Sequence, residues 1–296
     1  MTHVTARRGA LYVSVAATAW GTGGAAGSLL FETGGLGPVG VSLWRYLLGA
    51  AFLLALTPRA ALPHRLPHRL PRRLGWRILP VGAGMAVYQT AYFAAIAHAG
   101  VATATVVTMG ATPVFAALGS RFLLRERLGG LALGSLAAAL AGLVLLTAES
   151  ATQARASVAG IGLALVSAAG YAGVTLFSRH HRDDPAGTAI GGFVVAALCL
   201  APFALTGRVA PELSLASAAL LLYLGAVPTA LAYGLFFRAL TALRATTVSI
   251  ISLGEAVGAA LLGVLVFGER LTPVAWCGCA LLLAAVAVLA ARPETG

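Results

Sequence analysis

A single carboxylate lies deep inside an apolar stretch of the chain. Glu255 is the only ionisable residue in the segment 245–267. If this segment crosses a membrane as a helix, Glu255 lies about 15 Å from either end, at about 1.5 Å per residue. A charge at that depth costs roughly 3 kcal/mol, so something must hold it there. Glu255 either binds a cationic group of a substrate, carries a coupling proton, or is a structural glutamate satisfied by a neighbouring helix.

Aromatic and amide side chains also occur far from the ends of apolar stretches. Trp20 lies about ten residues from either end of its stretch, where an interfacial aromatic belt does not explain it. Tyr88 and Tyr92 are four residues apart, on one face of a helix, and Gln89 is adjacent. Buried hydroxyls and amides need partners, and a polar cavity supplies them. We expect Tyr88, Gln89 and Tyr92 to line a cavity, whereas Trp20 fits a cavity wall and plain packing equally well.

Arg45 lies about seven residues inside another apolar stretch. Its side chain either extends to the outer interface, as long basic side chains do, binds a substrate carboxylate, or pairs with Glu255. A threonine stripe (Thr105, Thr108, Thr112) fits a cavity or hydrogen bonds to its own helix. The predicted substrate-binding residues are Glu255, Trp20, Tyr88, Gln89, Tyr92, Arg45, Thr112, Tyr171 and Ser252, and Tyr233 is a further candidate.

The composition identifies the class of protein that must position these residues. Apolar residues make up 59% of the 296 residues, charged residues make up 10%, and the mean hydropathy is +0.90. A soluble chain carries about 25% charged residues, so this is an integral membrane protein. The apolar runs are long and continuous, which indicates helices, whereas a barrel would show ten-residue alternating segments.

Ten apolar stretches have about the length that a bilayer requires. They are residues 9–31, 38–56, 76–97, 101–124, 131–147, 160–177, 188–205, 215–237, 245–267 and 273–289. With the N-terminus in the cytoplasm, sixteen of the twenty arginines lie inside, three lie outside and Arg45 falls within a span. The positive-inside rule therefore predicts that both termini are cytoplasmic. It also explains the net charge of +11 without a nucleic-acid partner.

The chain contains an internal repeat. Residues 102–128 align without gaps on residues 245–271, with nine of 27 positions identical, and the alignment ends in Glu126-Arg127-Leu128 over Glu269-Arg270-Leu271. Each half has five stretches, and because five is odd the halves must cross the membrane in opposite directions. Inverted halves are typical of secondary transporters, which bind substrate near the midplane between the repeats.

These residues resemble the EamA-type transporters of the drug/metabolite transporter superfamily. The resemblance is carried by Trp20-Gly21, by the segment SLWRYLLGA around Arg45, and by the paired motifs Thr112-Pro113-Val114 and Glu255-Ala256-Val257. The family commonly has proline after the glutamate, and alanine there favours a straight helix. The resemblance implies a ten-helix basket with a central cavity and transport of small metabolites such as amino acids.

The sequence therefore predicts an all-α integral membrane protein with ten transmembrane helices in two inverted five-helix repeats. The predicted segments are a cytoplasmic tail (1–8), the first repeat (9–148), a connecting loop (149–159), the second repeat (160–291) and a second tail (292–296). We expect a carrier in a bacterial inner membrane that exports amino acids or related metabolites. Drug efflux, metabolite uptake and, more distantly, a membrane-embedded enzyme are the alternatives.

The expected partners are a small-molecule substrate and the lipid bilayer, with proton coupling as an option. We expect no catalytic residues, no metal and no cofactor. The segment RHHRDDP (residues 179–185) combines histidines and aspartates, but we interpret it as a solvated cytoplasmic loop rather than as a metal site.

Overall fold

The described part of the chain consists of helices joined by short turns. The computed structural model describes residues 4–56, 72–125, 129–153, 157–182, 184–205, 209–212, 214–267 and 271–291. The α-helices are α1 (Ala6–Thr33), α2 (Pro38–Leu56), α3 (Arg72–Phe122), α4 (Gly130–Gln153), α5 (Val158–His180), α6 (Pro185–Leu200), α7 (Leu215–Gly225), α8 (Ala232–Ala239), α9 (Ala245–Ser252), α10 (Gly254–Phe267) and α11 (Pro273–Ala291). The repeated Glu-Arg motifs, Glu126-Arg127 and Glu269-Arg270, lie outside the described residues.

Eight stretches of the described helices are long and apolar enough to cross a membrane. They are Pro38–Leu56, Thr103–Phe122, Gly130–Thr147, Val158–His180, Pro185–Ala204, Leu215–Ala239, Ala245–Leu262 and Pro273–Ala291. Two further predicted spans, in α1 and in the first part of α3, are helical but do not meet that measure. The multi-pass helical class is therefore confirmed.

The long helix α3 contains two predicted spans joined by a tight reversal at Gly100. Gly100 has φ 79° and ψ 162°, which are not helical values and which glycine adopts without a Cβ penalty. The hydroxyls of Tyr92 and Thr105 lie 2.7 Å apart, although residues 13 apart in a straight helix are separated by about 20 Å. The chain therefore doubles back at Gly100, as the separate stretches 76–97 and 101–124 predict.

Two other spans are interrupted near their middles. Between α7 and α8, a π-helical turn (Ala226–Leu231) surrounds Pro228. Proline has no N–H for the carbonyl four residues earlier, and the Thr229 hydroxyl donates to this carbonyl, Leu224 O, over 2.6 Å. Between α9 and α10 the helix breaks at Leu253, whose N–H donates to Ile250 O over 3.1 Å in a 3₁₀ pattern. The departure from the α-helix is local, because Leu253 keeps helical dihedral angles, φ −60° and ψ −19°.

Glycines allow the helices to approach closely, as is common in membrane bundles. A Cβ on Gly21 of α1 would lie 2.6 Å from Glu255 O and 2.8 Å from Ala259 N of α10. A Cβ on Gly142 of α4 would lie 2.8 Å from Gly278 O of α11. The contact at Gly21 matters for function, because it places α1 directly against the backbone that carries Glu255.

Candidate functional site

A cavity inside the bundle collects side chains from both halves of the chain. About 440 Å³ of space there is not occupied by atoms, including the part that is open to solvent. Its lining residues come from α1, α2, both parts of α3, α5, α8 and α10: Trp20, Gly24, Arg45, Tyr88, Gln89, Tyr92, Thr108, Met109, Ser167, Tyr171, Tyr233 and Glu255. Sites of this kind, with a few polar groups among apolar and aromatic walls, are typical of small-molecule binding.

The cavity lies where two buried hydrophobic clusters meet. Along α1, residues from Ala10 to Trp20 belong to the first cluster, and Ala26 and Leu30 belong to the second. In the first part of α3, Tyr88 belongs to the first cluster and Tyr92 belongs to the second, and Gln89 lies between them. Polar lining residues thus occupy the level at which apolar packing is interrupted, with packed side chains on either side.

Seven of the nine predicted substrate-binding residues line this cavity. They are Glu255, Trp20, Tyr88, Gln89, Tyr92, Arg45 and Tyr171. The other two, Thr112 and Ser252, are buried but are not among the lining residues. The Thr112 hydroxyl donates to Thr108 O over 2.7 Å, and the Ser252 hydroxyl donates to Val248 O over 2.9 Å. Both residues therefore satisfy their hydroxyls on their own helices, as serine and threonine can do.

Arg45 is buried within the bundle and does not extend to an interface. Its side chain is 4% exposed, and Nη2 donates to Pro228 O over 2.9 Å. The acceptor belongs to the π-helical turn, so the irregular backbone of the eighth span helps to hold the guanidinium at the cavity. Snorkelling is therefore the wrong interpretation of Arg45, and its donated hydrogen bond goes to a backbone carbonyl rather than to Glu255.

Glu255 lies in the first turn of α10, directly after the break at Leu253. Its side chain is partly exposed and faces the cavity. A carboxylate in a first helical turn is favoured by the positive end of the helix dipole. Glu255 therefore lies at the start of a helical segment inside the ninth predicted span, next to the 3₁₀ turn at Leu253.

Several buried polar atoms at the cavity have no hydrogen-bond partner among the described residues. They are Trp20 Nε1, Arg45 Nε, Tyr88 Oη, Ser167 Oγ and Tyr171 Oη. Buried polar groups are normally paired, so a cluster of exceptions requires a reason such as a ligand or water. Trp20 Nε1 and Arg45 Nε are donors only. The cavity can therefore donate to a ligand that has acceptor atoms, while Glu255 offers an acceptor for a ligand cation.

An aromatic cluster forms one wall. The Trp20 ring lies 5.0 Å from Tyr233, 5.4 Å from Phe236 and 6.0 Å from Tyr171, measured between centroids. Centroid distances of this size give favourable aromatic pairs. Trp20 thus serves both of the roles that its position allowed, because it packs in the core and also lines the cavity.

Three lining residues were absent from the sequence-based candidates, Gly24, Met109 and Ser167. Ser167 precedes Tyr171 by four residues, so helical spacing from Tyr171 could have identified it. Met109 carries no polar signal that distinguishes it from core packing. Among the described residues, His, Cys, Asp and Glu side chains form no group of three or more that could hold a metal ion.

The segment 179–185 is less exposed than a solvated loop. Arg179 is 5% exposed within α5, and its Nη1 donates to Leu240 O over 3.0 Å. Asp184 accepts from Gly187 N over 2.9 Å and so caps the start of α6. The interpretation of the whole segment as a solvated loop is therefore wrong for its ends, which fix helices α5 and α6.

Comparison with known proteins places these features in a family. The EamA-like transporter family model matches residues 7–148 and 158–291. "Uncharacterized transporter YwfM" of Bacillus subtilis (strain 168) is 32% identical over 288 residues, covering 96% of this chain and 94% of the relative. "Uncharacterized protein PA1977" of Pseudomonas aeruginosa is 33% identical over 224 residues, covering 75% of this chain and 72% of the relative.

A solved crystal structure shares the fold. It matches with a TM-score of 0.77 at 22% identity, covering 95% of this chain and 97% of the other. The two family matches, the full-length transporter relative and the multi-pass helical fold agree with one another. The chain belongs to the EamA-like transporter family, within the drug/metabolite transporter superfamily.

Proposed function

We propose that the protein is a secondary carrier that exports an amino acid or a related small metabolite across a bacterial inner membrane by alternating access. The observation that carries the proposal is the cavity, which brings Arg45, Glu255 and the buried donors Trp20 Nε1 and Tyr88 Oη to one place inside the membrane. A ligand with both a carboxylate and an ammonium group complements this set, since Arg45 is a cation and Glu255 an acceptor.

An inverted-repeat architecture with ten spans and both termini in the cytoplasm is part of the proposal. Gly82 of α3 packs against Val195 of α6, and a Cβ there would clash. Gly225, which follows Gly82 at the repeat offset of 143, packs in the same way against Leu48 of α2. Related positions in the third and eighth spans thus make related contacts with the seventh and second spans, which supports two similar halves.

Alternating access requires a seal on each side of the substrate site. The two hydrophobic clusters that meet at the cavity supply such seals. In the proposed cycle one cluster opens while the other stays packed, and the cavity residues keep their positions on the helices. The same geometry accommodates uptake. A cationic drug would use Glu255 without Arg45, so the transport assay distinguishes drug efflux from movement of an amino acid.

The test is counterflow of radiolabelled amino acids in proteoliposomes. Removing one charge-assisted hydrogen bond costs about 1.5–3 kcal/mol, so Arg45→Gln and Glu255→Gln should each lower transport roughly 10- to 100-fold. The matched controls are Arg121→Gln and Glu32→Gln, which change exposed residues near helix ends and should transport normally. Absence of amino-acid counterflow by the wild-type protein, with movement of cationic drugs instead, would favour efflux.

Proton coupling is tested with the same preparations. If Glu255 carries the coupling proton, Glu255→Gln abolishes accumulation driven by a pH gradient but keeps exchange of substrate between the two sides. If Glu255 only binds the substrate, both activities fall together. An unchanged pH-gradient response in Glu255→Gln with intact exchange rules out the coupling role.

A further inference from the structure

A second pocket lies where three helix ends meet, away from the central cavity. It contains about 350 Å³ of space not occupied by atoms and is lined by residues near the start of α3, the end of α5 and the start of α6. Ile78 in this pocket precedes Tyr88 of the central cavity by ten residues, about 15 Å along a helix. The buried side chains of Met85 in α3 and Val174 in α5 lie between the two pockets along these helices.

One polar atom in this pocket is buried without a partner. Ser178 is 4% exposed, and its Oγ has no hydrogen-bond partner among the residues that the structure describes. Four helical serines, Ser14, Ser28, Ser42 and Ser252, donate to a carbonyl of their own helix, which Ser178 does not do. An unpaired hydroxyl that lines a pocket therefore points to a bound group that supplies the missing hydrogen bond.

The pocket also contains charges of both signs. Arg77 lines it from α3, and Asp184 lines it from the N-terminus of α6. The guanidinium of arginine suits the oxygens of a phosphate group, and the Ser178 hydroxyl lies in the same pocket. The Asp184 carboxylate caps α6 through Gly187 N at 2.9 Å and can accept from an ammonium group as well. The charges thus favour a ligand that contains a phosphate and a cation.

The surroundings place this pocket at the membrane–water interface. The Trp76 ring, 51% exposed, packs edge-on against Phe177 and His181 with centroid distances of 6.3 Å and 5.7 Å. Exposed tryptophans at span ends mark the level of lipid headgroups. Leu79 lies about one turn after Trp76 along α3 and is 58% exposed. It offers an apolar surface next to the pocket. A headgroup in the pocket would have room for its acyl chains along this surface.

We propose that this pocket binds the phosphoethanolamine headgroup of a phospholipid. Arg77 and Ser178 hold the phosphate oxygens, and Asp184 accepts from the ammonium group. The bound lipid joins α6 to α3 and α5, the helices that carry Tyr88 and Tyr171 of the central cavity. The proposal is independent of the transported substrate, because none of the pocket residues lines the central cavity.

Native mass spectrometry of the full-length protein in detergent tests the proposal. The probes are phosphatidylethanolamine, phosphatidylglycerol and soluble glycerophosphoethanolamine. We expect the first lipid bound to be phosphatidylethanolamine, with Arg77→Gln and Ser178→Ala each weakening it by about tenfold or more. Arg121→Gln, which removes an exposed arginine from the other end of α3, should leave binding unchanged.

A further variant separates the two charges of the headgroup. Asn caps helices as well as Asp does, so Asp184→Asn keeps the start of α6 while removing the carboxylate. This variant should bind phosphatidylethanolamine and phosphatidylglycerol equally. Equal binding by the wild-type protein and the Arg77 and Ser178 variants would overturn the proposal. The proposal would also be overturned if glycerophosphoethanolamine displaced phosphatidylethanolamine at an equal concentration. That result would show that a soluble phosphate compound is the ligand.

Discussion

A close contact between α1 and α10 at the site predicts the effect of one added methyl group. In Gly21→Ala, the new Cβ would lie 2.6 Å from Glu255 O and 2.8 Å from Ala259 N. The shorter distance is about 0.8 Å below the 3.4 Å at which ordinary contact begins. Both neighbours are backbone atoms of α10, so a rotamer change cannot relieve the clash. The two helices α1 and α10 must move apart.

The magnitude follows from two opposing terms. Forcing an extra methyl group into a packed interior costs about 1–3 kcal/mol, whereas alanine favours a helix over glycine by about 1 kcal/mol. We therefore expect a net loss of stability of up to about 2 kcal/mol. Transport should fall further than stability, because the shift moves Glu255 relative to Trp20, and a misplacement of about 1 Å at a reacting or binding centre has large effects.

The assay compares thermal unfolding and counterflow of the variant with those of Gly162→Ala. Gly162 lies within α5, and a Cβ there would meet no atom within 4 Å. This control should be as stable as the wild-type protein or more so, with unchanged transport. If Gly21→Ala is as stable and as active as Gly162→Ala, then α1 and α10 do not pack as closely as described, and the position assigned to Glu255 is wrong.

Two further predictions concern the backbone. In Gly100→Ala, the new Cβ would meet no atom within 4 Å, but the backbone has φ 79°. The variant should therefore lower stability by about 1 kcal/mol or more through backbone strain alone. In the control Gly130→Ala, the new Cβ also meets no atom within 4 Å, and stability should not fall. Tyr46→Phe removes the buried hydrogen bond to Met85 O, 2.6 Å long, and should lower the unfolding free energy by about 1 kcal/mol. Thermal unfolding measures the stability of all three variants. Equal stabilities for Gly100→Ala and Gly130→Ala would contradict the structure at Gly100, and equal stabilities for Tyr46→Phe and the wild-type protein would contradict it at Tyr46.

The sequence identified most of the cavity because polar groups in apolar stretches are rare and therefore informative. Glu255, Arg45 and Gln89 are costly in a membrane interior, so their presence already indicated a polar environment. Hydroxyl groups carried less information, since a threonine or serine can satisfy itself on its own helix. Thr112 and Ser252 donate within their own helices, whereas Ser167, which was not predicted, lines the cavity.

The sequence by itself determined that the chain is a bundle of membrane helices with an internal repeat, because composition, span length and arginine placement are properties of segments. Only the tertiary structure decided where the spans break and which side chains meet. Arg45 finds its acceptor at Pro228, 183 residues away, and Gly21 lies against the backbone of Glu255 and Ala259. Such contacts depend on how helices from different parts of the chain pack, and no local pattern encodes that packing.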